Sequence, residues 1–299
     1  MLNILETIIN TKNINDVQKQ HLYIWELTEQ KRAIAFNITS DNVEEIVNQK
    51  LEIFFHLLEN NVINFQKFSL ETLWKLWLNL GLQLAQLKSN SEKPLIQGIL
   101  GGQGTGKSTL ASILKLILKY LGYHTESLSL DDLYLTYTER QELMLKDSRL
   151  NRRGPPGTHD INLGLETINQ VINKTLPLKL PRFDKSLHQG AGDRIEPLII
   201  ESSIDILLFE GWFVGIRPIN PEVFNHPPAP ILTAKDTQFA IDMNQRLNDY
   251  VKLWDKLDRL MILYPEDYRL SLIWRNEAEK EMIATGKTGM SASQIKEFV

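Results

Sequence analysis

The stretch Gly101-Gly102-Gln103-Gly104-Thr105-Gly106-Lys107-Ser108-Thr109 constrains this chain more than any other. It matches G-x-x-x-x-G-K-[ST], the Walker A pattern, in which glycines let backbone N–H groups turn inward around phosphate oxygens. In such a loop Lys107 reaches the β/γ-phosphates and the Ser108 hydroxyl sits on Mg²⁺. The flanks supply the context that the motif requires. Leu95 to Leu100 is a short apolar run that reads as a buried strand. Leu110 to Tyr120 reads as a helix stopped by Gly122. Strand, glycine loop and helix together aim a helix N-terminus and its dipole at the phosphates.

Composition narrows the class. A chain of 299 residues with an apolar fraction of 42% can build one large domain or two smaller ones around a full core. The net charge of −4 provides no global basic field for nucleic acid. With no cysteine, disulfides, thiol catalysis and thiolate metal sites are excluded. The start, Met1-Leu2-Asn3-Ile4-Leu5-Glu6, has an acidic residue and no basic cluster, which makes a poor targeting peptide. No uncharged apolar stretch reaches transmembrane length. A soluble, cytoplasmic protein is expected, with neither nucleic acid nor membrane as partner and with its oligomeric state open.

Residues 1–92 read as a helical N-terminal extension. Val43, Ile46, Val47, Leu51, Phe54, Phe55 and Leu58 recur at helical spacing, with Ser40 and Asp41 as candidate N-caps. Leu70 to Leu87 reads as a second helix, with Leu73, Trp77, Leu80, Leu84 and Leu87 on one face and Trp74 widening it. Its tryptophans are expected to pack against the nucleotide domain, the alternative being a partner surface. Lys88 to Pro94 is a polar linker, so a nucleotide-binding domain is placed at 93–299. Strands alternating with helices there predict an α/β fold, a mainly parallel sheet covered by helices on both faces.

Several acids fall where chemistry is expected. Thr125 to Leu130 reads as a strand running into Asp131 and Asp132, and ligands in open α/β sheets bind outside the carboxyl ends of strands. Both acids also suit a plain cap of the next turn. Ile204 to Gly211 reads as a buried strand ending in Glu210, the Walker B position that holds Mg²⁺ or its water shell. The loop Arg152 to Asp160 sets Arg153 beside His159 and Asp160, suggesting anion recognition, or a solvated turn that caps the next helix. His159 has no second histidine at metal-ligand spacing. Arg182 to Ser186 and Gly190 to Arg194 read as charged, flexible loops suited to a charged substrate, or as a solvated hairpin tip. A lid is placed around 266–292: a helix from Asp267 to Ala284 with Arg269, Arg275 and Lys280, then a basic glycine loop. Arg275 is the candidate for stabilising the transferring phosphoryl group.

There is no Asn-Lys-x-Asp guanine-reading element and no paired Asp-Glu of a helicase-type engine. A Walker acid plus a separate acid at the next strand end is small-molecule kinase logic: ATP is held in line while the second acid accepts a proton from an acceptor hydroxyl. Ser129-Leu130-Asp131-Asp132-Leu133-Tyr134, Arg153-Gly154 with Thr158-His159-Asp160, Phe183-Asp184-Lys185-Ser186, Gly192-Asp193-Arg194 and Leu208-Phe209-Glu210-Gly211-Trp212 follow one another in an order that resembles plant-type and cyanobacterial D-glycerate 3-kinase. The likeness covers roughly Pro94 to Val299. More distantly, the sequence is similar to uridine kinase, phosphoribulokinase and pantothenate kinase.

The resemblance implies a P-loop NTPase fold and transfer of phosphate from ATP with Mg²⁺ to the 3-hydroxyl of D-glycerate, a step of photorespiratory salvage. It implies Asp131 as base with Asp132 beside it, and Glu210 in the Walker B place. Lys107 and Arg275 serve the phosphates, and Ser108, Glu210 and Asp131 are the metal candidates. Arg153, His159, Asp160, Asp184, Lys185 and Arg194 are the substrate candidates. The last residues, Gln294 to Val299, read as mid-helix where the resembled family continues, so a truncated version is expected. A uridine- or pantothenate-type kinase, or a nucleotide-binding regulatory protein without acceptor activity, stays open as an alternative.

Overall fold

The computed structural model describes residues 1–60, 69–267 and 269–284. The chain divides into two compact units, residues 1–92 with 110–125 and residues 93–109 with 126–299.

The first unit is helical: α1 (Leu2–Thr11), α2 (Asp16–Thr28), α3 (Gln30–Ala35), α4 (Val43–Glu59), α5 (Leu70–Thr72), a π-helical turn at Leu73–Trp77, and α6 (Leu78–Ser89). Asn15 and Gln18 form a reciprocal capping box that starts α2. The N-cap of α4 is Asn42, not Ser40 or Asp41. Asn42 turns its side chain back onto the preceding turn, donating to the Asn37 carbonyl and accepting from Thr39 N–H. Glu44 and Glu45 in the first turn complement the helix dipole instead. Leu70 to Leu87 is helical as expected, but the π turn widens it by one residue per turn where Trp74 sits. Trp74 is fully buried against Phe54 and over the Lys50 ammonium, 4.5 Å from the ring centroid. It therefore serves the core of its own helical unit. The helix that follows the glycine loop, α7 (Lys107–Tyr120), meets α6 closely: a Cβ on Gly81 would lie 2.5 Å from Ile117 Cγ2.

Lys50 is a fully buried cation in this unit. It pairs with Glu26 at 2.5 Å, and Arg32 approaches the other Glu26 oxygen at 3.4 Å. The Arg32 guanidinium lies 3.9 Å over Trp25. Burial lowers the Lys50 pKa to about 8 against the pull of Glu26.

The second unit contains β1 (Leu95–Gly101), β2 (Thr125–Ser129), α8 (Tyr137–Lys146), α9 (Ile161–Ile172), β3 (Leu178–Asp184), β4 (Asp193–Ile200), β5 (Ile206–Gly211), α10 (Ala234–Trp254), β6 (Arg259–Leu263) and α11 (Leu270–Ala284). The main sheet has the order β2-β5-β1-β6, and β1 pairs in parallel with both neighbours. It is a mainly parallel sheet flanked by helices. Every residue of β5 is buried, as a central parallel strand requires. Leu128, Leu207 and Phe209 of the sheet pack with Ile168 and Val171 of α9 and with Leu247, Tyr250 and Trp254 of α10. The two charged stretches read as loops are the facing ends of an antiparallel hairpin, β3 and β4, in which Phe183 opposes Arg194 and Asp184 opposes Asp193. In β3 Leu178 and Leu180 are buried on either side of exposed Lys179, whereas β4 leaves Ile195, Leu198 and Ile199 exposed. Among the described residues no helix is long and apolar enough to cross a membrane.

The buried ion cluster makes a testable statement. Glu26→Ala strands two cations in the core and should lower stability by about 3–5 kcal/mol. Replacing the pair together, Glu26→Leu with Lys50→Met, should recover most of that loss. Urea unfolding followed by circular dichroism measures both.

Candidate active site

The glycine loop leaves β1 at Gly101, and Gly104 and Gly106 take φ of 76° and 83°, a region that L side chains rarely adopt. Space is also short at Gly104, where a Cβ would lie 2.6 Å from Trp274 Cβ on α11. Lys107 Nζ donates to the Gly102 carbonyl at 2.8 Å. Burial lowers its pKa, while the charges of Glu210 and Asp131 act in the opposite sense. Ser108 Oγ donates to Glu210 Oε1 at 2.9 Å. That contact follows from register, because β5 sets Glu210 opposite Ile99, two residues before the end of β1. Ser108 and Glu210 are hard oxygen donors, and such a pair fits Mg²⁺, which uses one or two protein oxygens and fills its shell with water and phosphate. The inward glycine backbone and Lys107 likewise fit a nucleotide's phosphates.

Asp131 and Asp132 follow β2 in a 3-10 turn at Leu130–Leu133. Their surroundings differ. Asp132 accepts Ser129 N–H at 3.0 Å and Phe183 N–H at 3.3 Å, one on each oxygen, so it ties the end of β2 to β3. Burial raises its pKa, and these N–H donors and Arg182 only partly offset that. Asp131 is ion-paired with Lys185 at 2.5 Å. Burial works against its charge, but Lys185 and the Tyr134 hydroxyl outweigh burial and hold the carboxyl below the usual range. Lys107, Glu210, Asp131 and Lys185 thus form one interacting set of charges.

The loop at 153–160 is strapped to the segment after β2 by Leu135 N–H to Thr158 O at 3.0 Å and Asp160 N–H to Leu133 O at 2.7 Å. Asp160 caps α9 through Leu163 N–H and also binds Arg194 Nη2 at 2.9 Å, while Arg194 Nε donates to the Tyr134 carbonyl. Arg153 donates to the carbonyls of Gly190 and Ala191 at the hairpin turn. Arg140 of α8 does the same to Gly192. Asp193 caps the start of α8 through Tyr137 N–H. Asp184 turns to the outside and accepts from Ser186 N–H and Oγ, which lower its pKa. His159 is buried beneath Tyr134. Arg275 lies on α11, and its side chain and residues 285–292 are outside the described residues.

No protein-family model matches the sequence. Individual relatives do. The chain is 33% identical over 216 residues to a chloroplastic D-glycerate 3-kinase of Arabidopsis thaliana, covering 69% of this chain and 45% of that one. It therefore spans less than half the length of that relative. A kinase of Schizosaccharomyces pombe, itself uncharacterized, is 31% identical over 69% of this chain and 78% of its own length. The D-glycerate 3-kinase structure from Cryptococcus neoformans aligns with a TM-score of 0.64 and 30% identity, over 73% of this chain and 82% of that one. The chain belongs to the D-glycerate 3-kinase family of P-loop kinases.

Within this family member, two groups around the acids escaped sequence reasoning. Arg140 gave no signal, because a lone arginine on an amphipathic helix reads as a solvated face. Tyr250 sits at core spacing on α10 and is buried, yet its hydroxyl accepts Gly157 N–H at 2.8 Å and meets His159 Nδ1 at 2.8 Å. Only the partner loop reveals that polar duty.

The different bonding of the acid pair is measurable. Asp132→Asn sets an NH₂ against one of two backbone N–H donors and should lower stability by about 1–3 kcal/mol in urea unfolding. Asp131→Asn loses a partly exposed ion pair and should cost at most about 1 kcal/mol in the same assay.

Proposed function

We propose that this chain is an ATP-dependent kinase that phosphorylates the 3-hydroxyl of D-glycerate, the reaction named for its Arabidopsis and Cryptococcus relatives. The observation that carries the reading is the charge set at the end of the glycine loop: Lys107, the Ser108–Glu210 pair, and Asp131 held ionised by Lys185. Asp131 is the base. It takes the proton of the acceptor hydroxyl as that oxygen attacks the γ-phosphorus, and the bond to the β-phosphate oxygen breaks. The commitment of both Asp132 oxygens to backbone N–H groups supports Asp131 over its neighbour. Lys107 and the glycine-loop N–H groups balance the charge that builds on the β/γ-phosphate oxygens. Ser108 and Glu210 hold Mg²⁺, which neutralises phosphate charge when bound. Arg275 is assigned to the same phosphates from its place on the lid helix.

A hydroxy acid needs a cation for its carboxylate. Lys185 suits that role, since its side chain is 58% exposed and already stands at Asp131. Arg194 has two nitrogens engaged by Asp160 and the Tyr134 carbonyl, which supports it as the rigid second cation of the pocket. Arg153, His159 and Asp160 shape the same pocket, and Asp184 closes its outer turn. The photorespiratory, cytoplasmic setting with no nucleic-acid or membrane partner belongs to this proposal.

A screen of ATP and Mg²⁺ with D-glycerate, uridine, pantothenate and ribulose 5-phosphate tests it. Release of ADP should depend on D-glycerate. Dependence on uridine or pantothenate alone would replace the acceptor, and ATP binding without acceptor-dependent turnover would make the chain a regulatory protein. Lys107→Ala should abolish transfer, and Asp131→Asn should lower kcat by about 10²- to 10⁴-fold. Lys185→Met and Arg194→Ala should each raise KM for glycerate far more than KM for ATP, as initial-rate kinetics will show.

A further inference from the structure

The His159 ring is enclosed by aromatic groups. It stacks on Tyr134 with centroids 4.5 Å apart and an interplanar angle of 24°, and it meets Phe213 and Tyr250 edge-on. Only 5% of the residue is exposed. Its Nδ1 is 2.8 Å from the Tyr250 hydroxyl oxygen, and its Nε2 has no hydrogen-bond partner among the described residues. The phenol decides which nitrogen carries the proton. Tyr250 is fully buried, and its oxygen already accepts Gly157 N–H, so its single proton needs an acceptor. His159 Nδ1 is the acceptor within reach. A proton on Nδ1 would leave the phenol proton unplaced in a dry site, which is costly. The ring is therefore the Nε2–H tautomer. Burial holds its pKa at about 3, against the pull of Asp131, so it stays neutral at physiological pH.

What remains is a buried, neutral N–H donor without a partner, beside the base. Tyr134 links the two, since its ring stacks on His159 and its hydroxyl binds Asp131. A donor left unpaired in such surroundings is expensive unless a ligand pairs it. We infer that His159 is a substrate-binding donor whose Nε2–H binds an oxygen of the small hydroxy-acid acceptor beside Asp131, and that Tyr250 is the positioning residue that locks this tautomer. The inference rests on the acceptor reading of the Asp131 pocket. A neutral donor has a chemical advantage there. It orients an acceptor oxygen without competing with Lys185 for the Asp131 carboxylate, as an imidazolium would.

Long-range ¹H–¹⁵N NMR of the full chain, with His159 assigned by comparison with His159→Gln, reads the tautomer directly. The expected result is a protonated Nε2 and a bare Nδ1 in the free protein. Addition of D-glycerate with a non-hydrolysable ATP analogue should then shift the Nε2–H signal. Tyr250→Phe should lose the single tautomer and raise KM for glycerate roughly 10-fold with KM for ATP unchanged, and His159→Phe should raise it roughly 10- to 100-fold. A protonated Nδ1 in the free protein overturns the inference. So does a His159 signal that stays unmoved by glycerate while glycerate is phosphorylated. A chain that phosphorylates uridine and not glycerate refutes the glycerate reading alone, and the His159 signals with uridine then decide the donor role by the same two criteria.

Discussion

The parallel pairing of β1 with β5 is the constraint on which the site depends. It places Glu210 opposite Ile99 and so brings a carboxylate to the first turn of α7, where the Ser108 hydroxyl meets it. A slip of one residue would send Glu210 to the other face of the sheet. All six β5 residues are buried in this register, so Glu210 reaches Ser108 from the end of an otherwise apolar strand. The glycine loop then needs only backbone conformations that glycine supplies at Gly104 and Gly106. The glycine loop and the Ser108–Glu210 contact are thus both positioned by one strand pair.

The segment around Asp131 is built differently. It is tied to a two-stranded hairpin, an element that is marginal alone. Guanidinium groups hold it in place. Arg153 and Arg140 take up the carbonyls of its turn, Arg194 binds Asp160 and the Tyr134 carbonyl, and Asp132 accepts the Phe183 N–H. These residues form a polar scaffold because a turn rich in glycine exposes carbonyls that no helix or sheet satisfies. These charged side chains therefore hold the hairpin and its turn in place. Asp131 is left in a direct ion pair with Lys185.

The helical unit solves its core with a polar cluster. Glu26 is shared by Lys50 and Arg32, and both cations lie over tryptophan faces. Such a cluster costs desolvation, and the aromatic faces and the shared carboxylate offset that cost. Trp25 and Trp74 thereby work within it.

The glycine loop, its flanking strand and helix, the acids at the ends of β2 and β5 and the helical start were legible because each rests on local chemistry. A glycine pattern, an apolar run and a helical repeat depend on neighbours in sequence. The hairpin was legible only as the alternative, a solvated tip, because charges and glycines crowd its turn and no apolar alternation marks its facing ends. Nor was the division of labour between Asp131 and Asp132 legible, since it depends on a backbone N–H of Phe183 some fifty residues on. Tyr250 and His159 make the same point across 91 residues. The sequence by itself determined that a phosphate-binding loop sits between a strand and a helix and that acids follow strand ends. Only the tertiary structure decided which acid is bonded to the backbone, which cations hold the hairpin and which nitrogen of His159 meets Tyr250, because hydrogen bonds and burial are set by partners that sequence distance does not encode.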